Sequence, residues 1–308
     1  MVVTSAPGKV ILLGEHAVVF GRPAIALAIG LRSRCRAQVV DDQTGAGGLT
    51  MSHQGSYINT AIEQSWNGGP LEVEIQSELP SGSGLGSSAA VTVATLGAIA
   101  SLKNEFAEEA IARQAFDVES LVQGRASPID TSVSAHGKGI FISSERGPDL
   151  LWHISKDTRS WYIHDCTVPD MTLVVGFTGY KAPTGPLVAK VKRYVDRTRF
   201  AREIIDEIGA ITLEGLQRMG SGDVEGLGRL MNRNHGLLSI LGVCTPPLQK
   251  LVNAALPYSY GAKLTGAGGG GSMIALTDAP EKVAKAIRNR GGIPFIVDTG
   301  VEGVKVET

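Results

Sequence analysis

Between Pro80 and Ala90 the chain reads Pro-Ser-Gly-Ser-Gly-Leu-Gly-Ser-Ser-Ala-Ala, with Gly82, Gly84 and Gly86 at alternate positions running into Ser87 and Ser88. Glycines allow tight turns and bring backbone N–H groups close to a ligand. A small-residue, apolar, helix-like run from Ala89 to Leu102 follows. A helix start leaves about four N–H groups unpaired and carries roughly half a positive charge. Together these features predict a phosphate cradle over Gly82, Ser83, Gly84, Leu85, Gly86, Ser87 and Ser88. The loop is not a Walker A motif, because no lysine follows its glycines, and serine at position 87 prevents a Gly-x-Gly-x-x-Gly reading.

Three more segments hold residues suited to chemistry. In Ala6–Val19 a lysine, Lys9, enters an apolar run, and Glu15-His16 follows the glycine that ends it. Taken alone, Lys9 reads as a solvated strand edge. Glu119 lies on the flank of a helical apolar stripe, and Asp130 follows Pro128 in an expected loop or strand start. An isolated carboxylate of this kind is usually a surface or turn residue. Lys263–Ser272 contains a second glycine cluster that formally spells Gly-x-Gly-x-x-Gly. Too little chain follows it for a dinucleotide-binding unit, and no acidic residue lies about twenty positions on. Close backbone approach to a ligand or another loop is the better reading for it. The basic run from Lys190 to Arg202 distributes its charges around a helix, as a solvated face does.

These segments need elements to position them. Apolar runs and alternation predict strands at Val10–Leu13, Arg34–Val40, Leu71–Ile75, Ile140–Ile142, Met171–Phe177, Ser272–Thr277 and Ile293–Val297. Helical spacing predicts helices at Glu108–Gln123, with Gly124 as C-cap, at Asp223–Leu241 and at Pro280–Arg290, and one or two helices within Leu187–Met219. Asp41–Gly48 reads as a polar, glycine-rich turn region. Strands and helices without a strict βαβ alternation favour α+β. Two domains are expected, 1–165 and 166–308, joined in the mixed polar stretch Ser143–Asp170.

Composition narrows the function classes. The 308 residues are 43% hydrophobic and 19% charged, with net charge −1, an ordinary globular balance with no overall pull toward nucleic acid or an anionic membrane. No secretory signal pattern opens the chain, and no apolar stretch is long enough for a bilayer. Cys35, Cys166 and Cys244 are dispersed and odd in number, which argues against a disulfide framework or zinc site and fits a reducing cytoplasm.

Taken in order, the three motifs resemble the signatures of the GHMP small-molecule kinases, and in detail those of the mevalonate kinases of compact archaeal and bacterial type. Gly14-Glu15-His16-Ala17-Val18-Val19 and Ser127-Pro128-Ile129-Asp130-Thr131-Ser132 are the segments most similar to that branch. The resemblance implies an α+β, two-domain GHMP kinase fold, with an N-terminal domain like ribosomal protein S5 domain 2 and a ferredoxin-like C-terminal domain. It implies ATP-dependent phosphorylation of the 5-hydroxyl of (R)-mevalonate in isoprenoid synthesis. A phosphomevalonate or other small-alcohol kinase and a catalytically silent sensor are the alternatives. By position, Asp130 matches the catalytic base and Lys9 its partner. Ser88 and Glu119 match the Mg²⁺ ligands, Gly82–Ser88 the triphosphate loop, and Ser77 a position near the nucleotide. Glu15 and His16 match residues near the acceptor, and Gly266–Gly269, with Ala267, the third motif. ATP and mevalonate are the implied small-molecule partners, and relatives suggest a homodimer. Where the family reads toward a Gly-Gly pair, this chain has His136-Gly137-Lys138, which puts an added positive charge near the catalytic segment.

Overall fold

The computed structural model describes residues 1–40, 55–124, 127–181 and 184–307. The chain opens on a long hairpin, β1 (Val2–Leu13) antiparallel to β2 (Ala24–Val39). Both strands are longer than their apolar patterns predict. The first half of β2 is buried without alternation, and alternation appears only from Ser33 onward. A strand covered on both faces reads as a continuous apolar run, which is why Ala24–Leu31 shows no strand period in the sequence.

After β2, α1 (Ser56–Ser65) leads into β3 (Leu71–Ser77), which pairs with β2. Three helices follow: α2 (Ser87–Leu102), α3 (Glu108–Gln123) and α4 (Ile129–His136). Gly124 closes α3 in the left-handed conformation, with φ 76°, as expected for a glycine cap. Strands β4 (Gly139–Ser143), β5 (Leu150–Lys156) and β6 (Arg159–Cys166) extend the sheet. Its order is β11-β1-β2-β4-β6-β5 with β3 also on β2, where β11 (Lys305–Val306) returns from the end of the chain. Helix α2 is small and apolar on every side and sinks into the core against β1 and β2.

A second sheet begins after Cys166. It is built from β7 (Thr172–Phe177), β8 (Gly261–Leu264), β9 (Ser272–Thr277) and β10 (Ile293–Val297), in the order β10-β7-β9-β8. The helices α5 (Thr184–Arg197), α6 (Arg199–Ser221), α7 (Val224–Ile240), α8 (Pro246–Ala255) and α9 (Pro280–Asn289) belong to this half of the chain. The stretch Leu187–Met219 is thus two helices, separated at Thr198, whose hydroxyl caps α6 by accepting from the Ala201 N–H. In the basic run, Lys192 pairs with Asp196 and Arg199 with Glu203 on the helix surface. The Asp41–Gly48 turn region lies outside the described residues.

The observed architecture is the α+β arrangement expected, with two sheets and helices grouped around each. One core cluster lies between α2, α3 and the first sheet, and another between α6, α8, α9 and the second. A third joins β1 and β2 to β7, β9 and α7, so the two halves share buried side chains. Among the described residues no helix is long and apolar enough to cross a membrane.

Candidate active site

The glycine loop enters α2 through Gly86, in the left-handed conformation with φ 74°, and no side chain caps the helix. The first-turn N–H groups therefore have no capping side chain, as at any uncapped helix start. Gly82 and Gly84 are also left-handed, at φ 72° and 79°. The absence of a Cβ at Gly86 matters for a second reason: one placed there would lie 2.9 Å from Lys9 Cγ. Lys9 therefore runs directly across the loop. Its backbone N–H donates to Leu85 O at 2.9 Å, and its ammonium lies 3.0 Å from Asp130 Oδ1 and 3.4 Å from Gly84 O. Lys9 is almost fully buried, whereas the Asp130 side chain keeps 27% of its surface. That leaves one carboxylate, paired with a cation, open at the mouth of the cradle.

Asp130 is not in a loop or strand start. It is the second residue of α4, whose N-cap is Pro128. Proline is tolerated at a helix start because its missing N–H would be unpaired there anyway. The Ser134 hydroxyl, on the next turn, donates to Pro7 O at 2.8 Å, which ties α4 to β1 beside Lys9.

Glu119 is deeply buried on α3, and one of its oxygens, Oε2, has no hydrogen-bond partner among the described residues. Burial pushes its pKa up to about 8; the Asp130 charge adds to the shift, and Lys9 and a hydrogen bond from Gln123 oppose it. A buried carboxylate with an orphaned oxygen is costly unless a cation satisfies it. Ser88 stands within the same group, since the Tyr57 hydroxyl interacts with the Ser88 side chain and feels the charges of both Glu119 and Asp130. One carboxylate oxygen and one hydroxyl are hard donors of the kind Mg²⁺ takes while keeping several waters. Among the described residues no cluster of three or more His, Cys, Asp or Glu offers a competing metal centre.

The third motif backs this site. Thr265 Oγ1 accepts from Ile11 N at 2.9 Å and donates to Ile11 O at 3.0 Å, and Ser272 Oγ donates to Ser83 O at 2.9 Å. The Gly266 backbone lies against Gly84, where an added Cβ would come to 3.4 Å from its carbonyl oxygen. The glycines thus allow the close loop-to-loop approach expected of them. His16, itself at φ 61°, donates from Nε2 to Ala267 O at 2.9 Å, and burial lowers its pKa while that hydrogen bond opposes the shift.

Two expectations take a different form. Glu15, adjacent to His16, turns into the core: it pairs with Lys263, both side chains fully buried, and Asn234 Nδ2 donates to its other oxygen at 2.9 Å. With both oxygens engaged, Glu15 anchors its loop and has no free oxygen for an acceptor. Lys138 follows the C-cap of α4, at the end opposite Asp130, and lines a separate cavity of about 560 Å³ with Asp165, Asp170 and Asp298. Its charge does not face the catalytic segment. Ser77 ends β3 with its hydroxyl on Ser33 Oγ at 2.8 Å and accepts from Leu79 N at 3.2 Å, bracing the chain as it enters the cradle. Lys263, Asn234, Thr265, Tyr57 and Gln123 also take part in the site, and only the lysine and threonine lie in a segment with a sequence signal.

This fold and this arrangement define a small-molecule kinase. The chain belongs to the GHMP kinase family, whose N-terminal domain matches residues 56–138 and whose C-terminal domain matches residues 212–293. Within that family its likeness is to the mevalonate kinases. It is 39% identical to the mevalonate kinase of Pyrococcus furiosus, over 99% of this chain and 98% of the relative. The crystal structure of Methanococcus jannaschii mevalonate kinase is 25% identical, with TM-score 0.80 over 96% of this chain and 97% of that one. The L. major mevalonate kinase structure, solved in complex with R-mevalonate, is 25% identical, with TM-score 0.81 over 97% and 95% of the two chains.

Proposed function

We propose that the protein transfers the γ-phosphoryl group of ATP to the 5-hydroxyl of (R)-mevalonate, giving 5-phosphomevalonate and ADP, as a step of isoprenoid synthesis in the cytoplasm. The observation that carries this reading is the Lys9–Asp130 pair, 3.0 Å apart, set at the open side of a glycine cradle that ends in an uncapped helix start.

Phosphoryl transfer is mostly positioning and charge neutralisation. Gly82–Ser88 offer backbone N–H groups to the triphosphate, and Ser77 braces the chain as it enters that loop. Asp130 accepts the hydroxyl proton as the acceptor oxygen attacks, and Lys9 steadies the negative charge that develops there. Proton removal of this kind contributes ~10²–10⁴ in rate. Glu119 and Ser88 would hold Mg²⁺, which would supply charge neutralisation to the triphosphate. His16 and Ala267 close the acceptor side through their hydrogen bond. The domain limits 1–165 and 166–308 place the change of half at the end of β6, close to the switch from the first sheet to the second.

A coupled ADP-release assay with mevalonate, phosphomevalonate, homoserine and galactose tests the reading. Turnover with mevalonate well above the others is expected. Preferential turnover of phosphomevalonate would refute the substrate, and nucleotide binding with no ADP from any acceptor would refute catalysis.

A further inference from the structure

Helix α1 brings to the site a residue that no motif predicts. Tyr57, on its first turn, is half-buried with its ring against the first core cluster. Its hydroxyl accepts from Gln123 Nε2 at 2.7 Å, and the same amide nitrogen donates to Glu119 Oε1 at 3.0 Å. The hydroxyl is also close enough to the Ser88 side chain to interact with it. A continuous chain of polar groups, Ser88–Tyr57–Gln123–Glu119, therefore spans α1, α2 and α3. It uses one Glu119 oxygen and leaves the other, Oε2, without a hydrogen-bond partner among the described residues.

Each bond in the chain restricts a different freedom. Gln123 and Glu119 lie one turn apart on α3, so their contact fixes which carboxylate oxygen is turned away from the amide. Tyr57 reaches across to α2 and fixes the Ser88 hydroxyl relative to that carboxylate. Groups that orient metal ligands in this way set how well the ligands converge, and losing one typically lowers metal affinity ~10–100-fold.

We propose that Tyr57 and Gln123 are positioning residues that hold the Ser88 hydroxyl and the Glu119 carboxylate in register as a divalent-cation site. This rests on the reading of Ser88 and Glu119 given above. The hydrogen bonds of the Tyr57 and Gln123 side chains lead to each other and to Glu119 rather than to Lys9 or Asp130, so their effect is on the metal rather than on the proton transfer at Asp130.

The test uses the full chain with Mn²⁺ as probe and a non-hydrolysable ATP analogue, free Mn²⁺ being followed by electron paramagnetic resonance. Tyr57→Phe keeps the ring and removes the hydroxyl, and Gln123→Met keeps the length and removes the amide. Each is expected to weaken Mn²⁺ binding to the protein–nucleotide complex about tenfold, with affinity for the analogue in EDTA within twofold of the parent. An Mn²⁺ affinity unchanged in both variants overturns the proposal. So does an equal loss of metal-free nucleotide binding, which would make the pair a support of the loop in general. Glu119→Gln separates this from the underlying reading. If it weakens Mn²⁺ binding while the two variants do not, the positioning role alone fails. If it too leaves Mn²⁺ binding unchanged, the metal-site reading fails and the proposal with it.

Discussion

Lys263→Met would remove the cation that pairs with Glu15 and leave that carboxylate fully buried, with Asn234 as its remaining side-chain donor among the described residues. It would also strip a donor from Leu264 O, now bonded at 2.8 Å. Breaking a buried ion pair by deleting one partner costs about 3–5 kcal/mol, because the desolvated charge that remains is uncompensated. That is a large share of a typical folding stability of about 5–15 kcal/mol, and at roughly 2–4 °C per kcal/mol the melting temperature should fall by about 10 °C. Glu15→Gln with Lys263→Met removes both charges together and keeps an oxygen for Asn234, so the double variant should be more stable than the sum of the two single losses implies. The pH dependence has a definite sign. Burial depresses the Lys263 pKa, and Glu15 holds it up. In Glu15→Gln only the depression remains, and a group with a lowered folded pKa loses stability as pH falls through that value. The Glu15→Gln penalty should therefore be greater at pH 7 than at pH 10. Urea unfolding of the parent, both single variants and the double would read all of this. A Lys263→Met loss below about 1 kcal/mol, the scale of a surface pair, or strictly additive single losses, would refute the reasoning.

Asp130→Asn should fold and bind ATP normally while kcat falls by ~10²–10⁴; near-normal kcat would remove Asp130 from the role of base. Gly86→Ala puts a Cβ 2.9 Å from Lys9 Cγ at a backbone φ of 74°, so the lysine must shift and the turn is strained by about 1 kcal/mol; steady-state kinetics should show reduced kcat, and unchanged kinetics would mean Lys9 tolerates displacement. Because the Glu119 pKa is raised, from 4.5 to about 8, the metal-free protein should lose stability as pH rises through that window. In EDTA, Glu119→Gln should be stabilised relative to the parent at pH 8.5 and much less so at pH 5, and equal differences at both pH values would contradict the burial argument. Thr265→Val removes both hydrogen bonds to Ile11 and should cost about 1–3 kcal/mol in denaturant unfolding, since the buried Ile11 groups lose their partner.

The parts of the molecule legible in the sequence are those whose signal is local. The strands Ser272–Thr277 and Ile293–Val297 and the helix Glu108–Gln123 have the bounds that apolar period and the cap at Gly124 predict. The left-handed glycine turns at Gly82, Gly84 and Gly86 and the helix start after them are likewise local, because they depend on adjacent residues alone. What the tertiary structure decided is how the local pieces face one another. Glu15 and His16 are neighbours in sequence, yet one is spent on Lys263 in the core and the other reaches Ala267. Asp130 becomes a helix residue aimed at Lys9, and Tyr57 and Gln123 join the site through packing of α1 against α2 and α3. The contacts that assemble the site, among them Lys9 with Asp130 and Ile11 with Thr265, join residues far apart in the chain. Residue type and spacing fix what each segment can do with its own backbone, whereas burial and charge pairing between segments arise only when the sheets and helices close on one another.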